Sequence, residues 1–192
     1  MIKRILFSLM LCLSFTASGS AYASPELEQA LLGRWYSENT DTMDPEGDLI
    51  AGSVKVSGVD EYLGNNGTNS QGQVLMTFKY KNGSTVEASW LVTAASEWQI
   101  KNGSLFEKVV DVRAIPEYVK TNGETLSDAD QKEFFTQANF KIEDLIPKGQ
   151  TSEDIIISID ATKFVSKSKN DDGAMVEHTK TRTDKNFSAY KK

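Results

Sequence analysis

His178 is the sole histidine of the 192-residue chain and Cys12 the sole cysteine. A catalytic triad would have one imidazole to draw on, and a metal site of several histidines or thiolates is excluded by count. In "GAMVEHTKTR", Val176, His178 and Lys180 share one strand face and Met175, Glu177 and Thr179 the other, which makes His178 a surface residue unless a partner holds it. Carboxylates stand side by side at Glu143-Asp144 and Glu153-Asp154. Adjacent strand residues point to opposite faces, so neither pair serves one substrate as acid and base. Asn39, Asp41, Asp44, Glu46 and Asp48 collect oxygen ligands, yet Leu49 stands where a calcium loop needs its tight-turn glycine and no glutamate closes the loop. That segment reads as a solvated acidic loop. A glycine-rich phosphate loop, a nucleophile elbow and an H-E-x-x-H helix are all missing. The expectation is a non-catalytic protein with no metal and no cofactor.

The first residues carry an address. Lys3 and Arg4 precede an apolar run from Ile5 to Phe15, and the small-residue site Ala21-Tyr22-Ala23 follows. This pattern predicts a secretory signal peptide over residues 1–23 and one exported domain over 24–192, periplasmic or secreted. The run is too short for a membrane span, which needs about 20 residues. Leu11 before Cys12 argues against a lipid-anchored cysteine, so the exported chain has no thiol and no disulfide. The leader holds two of 21 basic residues and none of 27 acidic ones, leaving 19 against 27 and a net charge of −8. Nucleic acid and anionic lipid surfaces are poor partners for such a balance.

The elements that must position these residues are strands. Val74, Met76, Phe78 and Tyr80 alternate with Leu75, Thr77 and Lys79; Val86, Ala88, Trp90 and Val92 repeat the pattern, as do Trp98 and Ile100. Phe106, Val110 and Val112 are assigned to one face of a later strand, and Ile155, Ile157 and Ile159 to another. Asn82-Gly83, Asn102-Gly103 and Asp171-Asp172-Gly173 mark hairpins between such runs. Runs at roughly 31–38, 52–63, 73–81, 84–93, 96–101, 104–113, 141–146, 153–160, 161–169 and 174–183 give eight to ten antiparallel strands. A sheet of that length curls, and closing it removes its edges. "TLSDADQKEFFTQANF" breaks the alternation: Ser127 caps and Phe134, Phe135 and Ala138 face one way, predicting an inserted amphipathic helix over 127 to about 139. Ser24-Pro25 opens a short leading helix. Residues 39–51 and 64–72 read as loops.

"GRWYSE" after that helix, then "VDEYLGNNGT", "SEWQIKNGSLFEK" and "GAMVEHTKTR", resembles the lipocalin and wider calycin barrels over most of the exported chain. The resemblance implies that Trp35, two residues after Gly33, lies across one barrel end with Arg182 of the last strand packed over it. A mid-chain turn with aspartate and arginine, usual in lipocalins, is absent. The fold expected is mainly β, an antiparallel lipocalin-like barrel of 8–10 strands with a short leading helix and one inserted helix.

Met76, Phe78, Tyr80, Trp90, Trp98 and Phe106 are expected to share inward faces. Of these Met76, Phe78, Trp90, Trp98 and Phe106 are the candidate ligand-binding residues, and Gly33, Trp35 and Arg182 a structural motif. An aromatic interior holds a small apolar or amphipathic molecule, or it is packed solid, since about eight strands leave just enough room for side chains. In the first case the protein is a monomeric small-molecule carrier. In the second it is a protein-binding module acting through loops 39–51 and 64–72 and the 113–140 insertion.

Overall fold

The computed structural model describes residues 25–137, 141–170 and 173–186. The expected leader, the Ser24 cap, Ala138 and the Asp171-Asp172 half of the last hairpin lie outside them. Helix α1 (Pro25–Leu31) leads into strands β1 (Gly33–Met43), β2 (Leu49–Tyr62), β3 (Gly67–Tyr80), β4 (Thr85–Lys101) and β5 (Ser104–Thr121). A two-residue strand β6 (Glu124–Thr125), helix α2 (Asp128–Gln137) and a 3-10 turn (Ile142–Asp144) follow, then β7 (Thr151–Ile159), β8 (Lys163–Lys169) and β9 (Met175–Arg182).

Every strand pairs antiparallel with its neighbour in the order β4-β3-β2-β1-β9-β8-β7-β5, and β4 also pairs with β5. The sheet is therefore a closed eight-strand barrel, with β6 appended to the outer part of β5. This is the expected architecture, and it fits a calycin-like barrel. Its strands are longer and fewer than alternation alone suggested. The runs at 84–93 and 96–101 are one strand, β4, bulged against β5 near Ala95. Strand β5 continues to Thr121 with bulges at Val110 and Glu117, and the run at 141–146 holds a 3-10 turn instead of a strand. Residues 39–43 and 67–72, read as loop, are strand. The hairpin at Asn102-Gly103 has both residues at positive φ, as its sequence demands, whereas at Asn82-Gly83 only the glycine does.

Two apolar clusters fill the ends of the barrel. The lower one holds Leu31, Trp35, Tyr62, Trp98, Ile100, Leu105 and Phe164, with Leu27 of α1 and Leu32 just after it closing it. The upper one holds Met43, Val54, Val74, Met76, Ala88, Trp90, Val119, Ile142 and Leu145, with Phe134 and Phe135 of α2 laid over it. Helix α2 is capped as read, the Ser127 hydroxyl accepting from the Asp130 N–H at 3.3 Å and donating to its carboxylate at 2.6 Å. Gln131 ties α2 down, accepting from the Val119 N–H and donating to the Leu126 carbonyl. The Phe135 ring stands edge-on to Trp90 at 5.4 Å, so the inserted helix is a lid on half of the upper end.

Closure is lopsided. Strand β2 pairs with β1 along all of β1, but β1 pairs with β9 only at Trp35–Arg182 and Tyr36–Thr181. Beyond those two pairs no backbone pairing joins β1 to β9 among the described residues, and this unpaired slot runs beside Ser37, Asn39 and His178.

Candidate functional site

The Gly-x-Trp motif takes the place the resemblance implied. Trp35 is fully buried, and its indole N–H donates to the Leu31 carbonyl at 2.7 Å. The Arg182 guanidinium lies 3.9 Å over the ring. The same guanidinium donates to the Ala30 carbonyl at 2.8 Å and to the Leu32 carbonyl, so arginine and tryptophan together satisfy carbonyls that the end of α1 leaves without partners. Gly33 has φ +105°, and a Cβ there would sit 2.7 Å from the guanidinium. Burial holds the Arg182 pKa below its ordinary value. This corner is a latch between the first and last strands.

Between the two apolar clusters lies a cavity of about 210 Å³. Its upper wall is Val56, Val74, Val92, Ala94 and Ile146, and its remaining lining is polar: Ser70, Ser152, Ser166 and Ser168, with Asp60, Glu107, Asp154, His178 and Lys180. Part of the space exists because Gly58 and Gly72 pair opposite each other on β2 and β3 and put no side chain into it. A Cβ on Gly72 would come within 2.6 Å of the Ser57 carbonyl oxygen. Gly72→Ala is therefore expected to cost about 1–3 kcal/mol by overpacking, whereas Gly64→Ala, where nothing lies within 4 Å, is expected to be nearly neutral. Thermal melts of the two variants check this.

None of the five sequence-picked residues lines this cavity. Met76, Phe78 and Trp90 belong to the upper cluster and Trp98 to the lower one. Phe106 faces outward, because Leu105, Glu107 and Val109 occupy the inward positions; the bulge beyond Val109 then restores Val112 to the interior. In β7, Ile155 and Ile157 are 44% and 52% exposed and Ile156 packs inward, and a bulge at Ile157 brings Ile159 inward as well.

The polar floor was not foreseen. Lys180 Nζ donates to Asp60 Oδ2 at 2.7 Å and to Tyr62 Oη at 3.0 Å, and Ser70 Oγ donates to Asp60 Oδ1 at 2.6 Å. Tyr62 Oη donates to Glu107 Oε2 at 3.3 Å, and Thr68 Oγ1 reaches Glu107 Oε1 at 3.5 Å. Burial raises Glu107 to a pKa of about 7, with the Lys180 ammonium opposing the shift and Asp60 and Asp154 adding to it. Burial also raises Tyr62, and Glu107 reinforces that. Lys180 loses charge stability to burial, but Asp60, Tyr62 and Glu107 outweigh this and hold its pKa well above the ordinary lysine value. The alternation that placed Lys180 and His178 on one face was the available signal; no pattern linked them to Asp60 or Glu107, more than 70 residues earlier.

Glu107 binds its proton more tightly folded, at about 7, than at its ordinary 4.5. Between those values the native state holds a proton that the unfolded chain has released, so this group's contribution to stability falls as pH rises and levels off above 7. Unfolding free energies from urea titrations should drop between pH 5 and 7.5, by about 2 kcal/mol from this group. Glu107→Gln, which is neutral throughout, should flatten that drop.

Ser168 Oγ and His178 Nε2 share a 2.8 Å hydrogen bond, but among the described residues no carboxylate is hydrogen-bonded to His178 to orient and charge-compensate the imidazole. Asn39 and Asp41 stand on β1, apart from Asp44, Glu46 and Asp48 of the following loop. The chain matches no family model and no curated protein.

Proposed function

We propose that this is an exported, monomeric, lipocalin-like binding protein that carries a small amphipathic molecule in its barrel. The observation that carries the reading is the cavity of about 210 Å³. One side of it is aliphatic, the other is hydroxyl- and charge-lined, and it gives onto the slot between β1 and β9. That volume encloses roughly seven water-sized groups at ~30 Å³ each, enough for a polar head and the first few methylenes of a chain. The rest of the chain runs out through the slot. A few convergent polar groups against an apolar wall are the usual composition of a small-molecule site. Phe134 and Phe135 are partly buried against the upper cluster, which favours this reading over protein contact through the inserted helix.

The test is titration of the purified protein with 1-octanol by calorimetry, alongside native mass spectrometry for a molecule retained through purification. Ala94→Leu fills the aliphatic wall and should weaken octanol binding at least tenfold with the circular dichroism spectrum unchanged. Absence of both octanol binding and a retained molecule would refute the proposal.

A further inference from the structure

Resting on that reading, we infer that the cavity selects a molecule whose polar head is a protonated amine. Charges and donors must balance around one cavity. Among the described lining residues Lys180 is the one fixed cation, and it is committed to Asp60 and Tyr62 at 2.7 and 3.0 Å. Asp60 is answered in turn by Lys180 and Ser70. Two carboxyl groups remain. Glu107 has a tyrosine and a threonine hydroxyl at long distance and no cation within ion-pairing range among the described residues. Asp154, whose backbone is paired with Leu105, lines the same space with a carboxylate that makes no hydrogen bond or ion pair to a described residue.

Around these carboxyls stand Ser152, Ser166 and Ser168, hydroxyls able to accept as well as donate. A carboxylate head would meet Asp154 and Glu107 with no free cation to receive it. An alcohol would leave Asp154 uncompensated. An ammonium supplies three donors and the missing positive charge, and its alkyl chain lies along Val56, Val74, Val92 and Ala94 toward the slot.

A pH signature follows from the surroundings of Glu107. The titratable or charged groups facing it are Asp60 and Tyr62 on β2, Asp154 on β7 and Lys180 on β9, with His178 further along β9. A bound ammonium favours the ionised form of Glu107, so binding below pH 7 expels its proton and is weaker there, by up to about tenfold per pH unit.

The experiment compares octylamine, 1-octanol and octanoate by calorimetry on the full exported chain at pH 5.5 and 7.5. Octylamine is expected to bind at least tenfold more tightly than octanol at pH 7.5, with octanoate weakest. Its affinity should rise more than tenfold from pH 5.5 to 7.5 in the parent and stay flat in Glu107→Gln. Asp154→Asn should weaken octylamine about tenfold while octanol binds no more weakly than before, a selective loss that a merely structural role would not produce. Octanol or octanoate binding as tightly as octylamine would overturn the charge preference while leaving the carrier reading intact. Equal weakening of all three in Asp154→Asn would also overturn it. If none of the three binds, the carrier reading itself fails.

Discussion

Replacing Lys180 with methionine is expected to remove about 3–5 kcal/mol of stability, the range for stripping one partner from a buried ion pair. Lys180 and Asp60 expose only 19% and 22% of their side chains, and that exposure is to the cavity they line. Without the ammonium, Asp60 keeps a carboxylate in a poorly solvated floor, and Glu107 and Tyr62 lose the charge that opposes their upward shifts. The double variant Lys180→Met with Asp60→Asn should recover most of the loss, because it removes the orphaned charge instead of creating one. Urea unfolding of the two variants against the parent is the measurement. A loss below about 1 kcal/mol for the single variant would mean that water in the cavity solvates Asp60 as well as lysine does.

Trp35→Ala should cost a similar 3–5 kcal/mol, for a different reason. The side chain is fully buried, stacks edge-on with Phe164 at 5.9 Å and carries Arg182 on its face. Its removal leaves a cavity among the lower apolar residues and deprives the Leu31 carbonyl of a donor. The cation over the ring adds about 0.5–2 kcal/mol to what is lost. Octanol binding, measured below the lowered melting temperature, should survive, since Trp35 does not line the cavity. Lost binding with an unchanged melting temperature would reverse the assignment and make Trp35 part of the site.

The barrel was legible in the sequence because strand alternation and hairpin turns are local signals. Alternation at Val74–Tyr80 and Val86–Val92 places Met76 and Trp90 inward, as the structure has them. The pairing of Trp35 with Arg182 came instead from the resemblance to calycin barrels, which implies it at Gly33, Trp35 and the last-strand arginine. The cavity was not legible. Its floor joins Asp60, Glu107, Asp154 and Lys180 from four strands, and the registers that align them include bulges in β5 and β7. A bulge inserts one residue and inverts every later inside-outside assignment, which is why Phe106 and Val112 fall on opposite faces despite their even spacing. Hydrophobic residues announce a core by pattern. Inward serines such as Ser70, Ser152 and Ser166 look like the solvent face of a strand until the barrel closes around them.

The narrow join between β1 and β9 has a kinetic consequence. Strands β1 to β5 form a run of hairpins between sequence neighbours, which assemble early and cheaply in loop entropy. The join must bring Arg182 to Leu32 across 150 residues for only two paired positions. So few backbone bonds give a nucleus little reward, and the last strand should dock after the meander has formed. The arginine–tryptophan latch then acts chiefly on the rate of reopening: its loss should speed unfolding far more than it slows folding. A protein built this way is protected by its clasp against coming undone, and the clasp contributes little to its assembly.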